Sequence, residues 1–81
     1  MILEDSEYFI GPAIEYHLQK NGCSKYKLAA AWVVDRSAIT ALCKPKSNPT
    51  WLTIMRVAKT LGITVAEIVK TAEDMRKDSE Q

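Results

Sequence analysis

The chain has 81 residues and a formal net charge of only +1, with 47% hydrophobic and 26% charged residues, three glycines, three prolines and two cysteines. That length builds one small domain, and the composition excludes disordered and collagen-like chains. No run of 18 apolar residues could span a bilayer, and the acidic start Met1-Ile2-Leu3-Glu4-Asp5-Ser6-Glu7 is unlike a secretory signal, so no membrane role and a cytoplasmic location with reduced cysteines are expected.

Residues 1–9 read as a leader, 10–72 as the domain and 73–81 as a polar tail. Helical spacing starts with Ile10, Ala13, Ile14, His17 and Leu18 on one face, and Pro12 is tolerable only in a first turn. Asn21-Gly22 stops this helix, and Ser24 can cap a second one through Tyr26, Leu28, Ala29 and Trp32. Asp35 can cap a third over 36–43, with Ala38, Ile39 and Leu42 inward, ended by Pro45. After a polar loop, Thr50 can cap a fourth helix whose inner face is Trp51, Ile54, Val57, Ala58 and Leu61, stopped by Gly62. Thr64-Val65-Ala66-Glu67 fits a capping box for a fifth, which buries Val65, Ile68, Val69 and Ala72 and frays after Met75. The fold class expected is all-α, five short helices.

Charge is unevenly spread. Residues 1–19 carry −4, residues 20–60 carry +7 and residues 61–81 carry −2. A basic block between acidic ends points to a polyanionic partner. Within the block lie two helices of about eight residues joined by a tight turn, the arrangement of a helix-turn-helix. Such a pair needs a small residue at the crossing, which Ala29 supplies, and apolar anchors, which Leu28, Val34, Ile39 and Leu42 supply.

From Ile14 to Ile68 the sequence resembles the Cro/phage-repressor (XRE-type) helix-turn-helix family. The resemblance is carried by Ser24, Leu28-Ala29, Arg36-Ser37-Ala38-Ile39, Asn48-Pro49-Thr50-Trp51, Val57-Ala58-Lys59-Thr60-Leu61-Gly62-Ile63-Thr64 and Glu67-Ile68. It implies a lambda-repressor-like five-helix fold and binding of double-stranded DNA. Three positions depart from the family pattern: Val33 replaces the turn glycine, Cys43 a frequent Glu, and Pro45 a frequent Gly. A β-branched residue at positive φ costs on the order of 1–2 kcal/mol, so the turn is expected to be shifted, strained or longer. The course of loop 43–48 stays open.

The resemblance implies that the third helix lies in the major groove with Arg36, Ser37, Thr40 and Ala41 toward base edges. The Arg36 fork matches the O6/N7 edge of guanine, with phosphate or Asp35 as its alternative partner. Ser24, Lys25, Tyr26, Lys44, Lys46, Ser47 and Asn48 are the expected phosphate contacts, which set affinity and salt dependence. Trp32 and Trp51 read as core residues rather than base-stacking platforms, and His17 as a core or boundary histidine. His17, Cys23 and Cys43 lack paired metal-ligand spacing, and no catalytic triad or phosphate loop is present, so neither a metal, a cofactor nor an enzyme is expected.

One such domain covers few base pairs, and the resemblance implies a homodimer on a palindromic operator. Its interface is expected on the fifth helix at Val69, Ala72 and Met75, with the first helix and the loop before Trp51 as alternatives. The function read from the sequence is a transcriptional regulator, a repressor acting by steric overlap with a promoter at the nucleoid. An antitoxin with a toxin partner, a restriction–modification controller, and an anti-repressor-type interaction module that has lost DNA binding, with a phage protein as its partner, are its alternatives.

Overall fold

The computed structural model describes residues 9–45 and 47–79, so the expected leader, Phe9 apart, lies outside the described residues. Five helices follow in order: α1 Ile10–Lys20, α2 Lys25–Trp32, α3 Arg36–Leu42, α4 Trp51–Leu61 and α5 Val65–Ser79. The described residues include no strand, and the all-α architecture read from the sequence is the one observed.

Three of the four connections share one plan. After α1, α2 and α4 a single residue turns left-handed: Gly22 at φ 68°, Val33 at φ 56° and Gly62 at φ 71°. The amide after it reaches back five residues, Cys23 to Leu18 O at 2.9 Å, Val34 to Ala29 O at 3.0 Å and Ile63 to Ala58 O at 3.0 Å. The left-handed residue's own amide donates to Gln19, Ala30 or Lys59. Both bonds satisfy carbonyls that a helix end otherwise leaves open. The following residue then opens the next helix. Ser24 Oγ accepts from the Lys27 amide at 3.0 Å. Thr64 and Glu67 cap each other, Glu67 N to Thr64 Oγ1 at 3.1 Å and Thr64 N to Glu67 Oε2 at 2.8 Å.

The middle joint follows this plan with the wrong chemistry. Val33 holds the left-handed position without shifting or lengthening the turn, so the departure is absorbed as strain. Asp35 has an extended cap backbone, but its carboxylate accepts no capping bond, contrary to its expected role.

The fourth connection is the longer loop between α3 and α4. Ser47 closes it, donating its hydroxyl to Leu42 O at 2.8 Å and its amide to Lys44 O at 3.2 Å. Gly11, in the first turn of α1, lies directly against this loop. A β-carbon at residue 11 would collide with the Leu42 and Lys44 carbonyls and with Ser47 Oγ. Only glycine lets the start of α1 seat here. Thr50 accepts from the Thr53 amide at 3.2 Å and starts α4 as expected.

Every helix contributes to one core: Ile14 and Leu18 from α1, Leu28 from α2, Ile39 from α3, Val57 from α4 and Ile68 from α5 are fully buried. The α1–α5 pair is the most extensive helix contact, with α2–α3 next. His17 is buried in the first of these, its Nε2 2.8 Å from Thr71 Oγ1. The Thr71 hydroxyl already donates to Glu67 O, so His17 Nε2 carries the proton and donates to Thr71.

Several burial expectations are corrected. Trp51 is 61% exposed, because it lies in the first turn of α4, about 60° around the helix from Ile54 and ahead of the core. Val34 and Ala38 are exposed, since the two-turn α3 needs only Ile39, half-buried Leu42 and Cys43 to anchor it. Residues 73–79 are helix rather than a fraying tail, and Arg76 is largely buried there. Ala72 has no exposed surface, being packed in the chain's own core, and so cannot form part of a dimer interface.

Because the strain at Val33 is local and its side chain is 89% exposed, Val33→Gly removes strain without removing packing. It is expected to raise stability by about 1 kcal/mol, shifting Tm upward by about 4–8 °C. Urea and thermal unfolding followed by circular dichroism check this; an unchanged midpoint contradicts it.

Candidate nucleic-acid interface

α3 is held by its inner edge and displays the rest. Of its seven residues, Arg36, Ser37, Ala38, Thr40 and Ala41 are exposed, Ile39 is buried and Leu42 is half-buried. All four residues expected to face base edges therefore lie on the solvent side. Ala38 joins them, a position the sequence pattern had placed inward. Thr40 donates its hydroxyl hydrogen to Arg36 O at 3.1 Å, which leaves its lone pairs free to accept and its methyl free to pack.

The N-terminal end of α2 lies beside the start of α3. A cleft of about 360 Å³ is lined by Glu15, Ser24, Lys25, Tyr26 and Arg36, together with Leu18, Gln19 and Cys23. Ser24 uses a lone pair for its cap and keeps its hydroxyl hydrogen free. The Lys25 and Tyr26 amides belong to the first turn, where a helix has no acceptors of its own and favours an anion. Tyr26 is exposed along with Lys27. Lys44 and Asn48 are exposed on the loop after α3. Lys46 lies outside the described residues.

Two expected phosphate ligands are otherwise engaged. Ser47 spends its hydroxyl hydrogen on Leu42 O and braces the loop. Lys25 Nζ sits 2.9 Å from Glu15 Oε1, a half-exposed ion pair. The hydrogen bond to Glu15 raises the Lys25 pKa, against a smaller lowering by desolvation, so the pair persists until strongly alkaline pH. Sequence reading missed Glu15, whose only signal is that it is an acidic residue on the same helix as the apolar face.

The basic block is also divided by the fold. Lys20 lies 5.9 Å from the Tyr16 ring centroid, and Tyr16 shares a cleft with Thr71, Asp74, Met75 and Asp78 of α5. Arg56 is stacked 4.4 Å from the Trp32 ring, whose indole Nε1 donates to Thr60 Oγ1 at 3.1 Å. Trp32 thus pins α2 to α4. Arg56 braces the α2–α4 contact and Lys20 lies along α1, while Lys25, Lys27, Arg36 and Lys44 stand around α2 and α3.

A short brace helix, a tight turn and a second helix shown almost entirely to solvent define a helix-turn-helix DNA-binding domain. More narrowly, residues 13–74 match the family model of the Cro/C1-type HTH DNA-binding domain, and the chain belongs to that family. No curated protein and no solved structure matches it. Among the described residues no helix is long and apolar enough to cross a membrane.

The two thiols differ in environment. Cys23 is half-exposed, whereas Cys43 is 3% exposed and burial pushes its thiol above the usual range, with Lys25 lowering it less. Since the thiolate is the reactive form, an alkylating reagent at pH 8 is expected to modify Cys23 alone until urea unfolds the chain. Mass spectrometry of the peptides checks this; equal labelling of both cysteines contradicts the packing of α3.

Proposed function

We propose that this DNA-binding regulator acts as a homodimeric repressor, reading a palindromic operator with α3 in the major groove and blocking a promoter by overlap. The reading places it in the cytoplasm, at the nucleoid. The observation that carries it is the exposure of five of the seven α3 residues on a helix anchored by Ile39. A helix held this way offers a convex ridge narrow enough for the groove.

In this reading Arg36 and Ser37 meet base edges, Thr40 accepts from a cytosine or adenine amino group, and Ala41 packs on a thymine methyl. Ala38 adds to the outward surface. Ser24, Tyr26, Lys44 and Asn48 position the domain on phosphates, with the α2 amides contributing at the same point. Lys25 is withheld from phosphate by its pair with Glu15 and contributes only when that pair is broken. Selection of bound duplexes from random DNA tests the proposal, and recovery of no common sequence overturns it.

Two substitutions separate the roles. Arg36→Ala is expected to weaken binding to the selected site by about 1–3 kcal/mol and to spare random DNA. Equal loss on both would assign Arg36 to phosphate.

Glu15→Gln releases Lys25 and removes a negative charge beside it. Affinity for all duplexes should rise, and the slope of log affinity against log salt should steepen by about 0.9. Fluorescence anisotropy at several salt concentrations measures both, and an unchanged slope would exclude Lys25 from the interface.

A further inference from the structure

The outward surface of α3 is chemically narrow. At about 100° per residue, Ser37 and Ala41 stand within about 40° of each other and opposite Ile39, with Thr40 about 60° to one side and Ala38 about 60° to the other. None of these four side chains extends past its γ atoms, so α3 brings its backbone close to whatever it faces. The helix holds no carboxylate and no side-chain amide.

That composition decides which base edges it can read. A carboxylate suits the cytosine amino group, and an amide suits adenine at N6 and N7. α3 offers neither. The Thr40 hydroxyl hydrogen is spent on Arg36 O at 3.1 Å, which leaves Thr40 a lone pair and a methyl group. Apart from Arg36, the outward side chains keep a single donor, the Ser37 hydroxyl, while Ala38, Thr40 and Ala41 present methyl groups. A methyl surface has one complement in the major groove, the 5-methyl group of a pyrimidine.

We propose that affinity turns on this pyrimidine 5-methyl group, with Ala41 and Ala38 packed against it and Thr40 accepting from the amino group of the same base pair. The inference deepens the reading of α3 given above and rests on it. An amino hydrogen does not separate the pairs, because adenine and cytosine both carry one in the major groove. The methyl group does, being present on thymine and absent from cytosine. A cytosine methylated at C5 regains it and is read in thymine's place. Methylation of the duplex at these positions thereby turns a weak site into a stronger one.

Burying one methyl group changes affinity about three- to fivefold. The contact is apolar, so this factor does not fall with salt, unlike the contribution of the cations around α2 and α3.

The duplex recovered by selection supplies the test. Each thymine is replaced in turn by deoxyuridine, which lacks only the methyl group, and binding is followed by fluorescence anisotropy. A loss of about three- to fivefold is expected at one or two positions of each half-site, with the same ratio in low and high salt. At those positions a C·G pair should bind more weakly than T·A, and 5-methylcytosine should recover about three- to fivefold over cytosine. Ala41→Gly and Ala38→Gly should bring the thymine-to-deoxyuridine ratio toward one at the position each contacts. The ratio compares two duplexes on the same protein, so a lowered folded fraction cancels.

Equal binding of thymine and deoxyuridine at every position would overturn the proposal. So would a methyl effect that survives both glycine variants, which would place it in the shape of the duplex instead. Failure to recover any operator refutes the base-reading role itself, whereas either of these results leaves that role standing.

Discussion

Five helices can enclose one core in so short a chain only if the backbone reverses direction within three residues, and it does so three times by the same means. A left-handed residue ends one helix, an apolar residue follows, and a Ser, Asp or Thr opens the next: Gly22-Cys23-Ser24, Val33-Val34-Asp35 and Gly62-Ile63-Thr64. Each joint satisfies backbone groups that would otherwise be stranded at the helix ends. The direction of every later helix is inherited from these reversals. The remaining connection is fixed differently, by Ser47 bonding within the loop and by the bare backbone of Gly11 resting on it. Gly11 thereby couples the start of α1 to the exit from α3, two segments about thirty residues apart in sequence.

Display and stability compete in α3. A helix that turns five of seven residues to solvent keeps few for the core, and here Ile39, Leu42 and the adjoining Cys43 perform the anchoring. The α1–α5 pair, tied by His17 and Thr71, carries the stable side of the molecule. Electrostatics are arranged along the same division. Cations near α2 and α3 remain available to an anion, while Lys20 and Arg56 lie over aromatic rings. Glu15 moderates the available set by holding Lys25.

Helix positions were legible because their signals are local: Pro12, Ser24, Thr50, Gly62 and the Thr64–Glu67 box each act over a few residues. The family followed from a resemblance running from Ile14 to Ile68, and that resemblance implied the outward set Arg36, Ser37, Thr40 and Ala41. What failed was long-range. Periodicity identifies an apolar stripe but not where the stripe outruns its cover, so Trp51 reads as core. It also does not separate core from interface along one helix face, so Ala72 reads as both although it has no exposed surface. The Lys25–Glu15 pair joins two helices and has no signature at fixed spacing. Ser47 resembles any polar loop residue until the Leu42 carbonyl is seen beside it. Val33 is the reverse case, since the cost of a left-handed valine was readable and only the response of the backbone was not.

The middle joint lacks both the glycine and the side-chain cap found at its two counterparts. The easiest seam to part in this molecule therefore runs beside α3, and opening there leaves the α1–α5 pair assembled. Amide protection should be graded accordingly, lowest along α3 and highest around Ile14 and Ile68. In the proposed reading, contact with a duplex would brace this joint, drawing ordering entropy into the free energy of recognition.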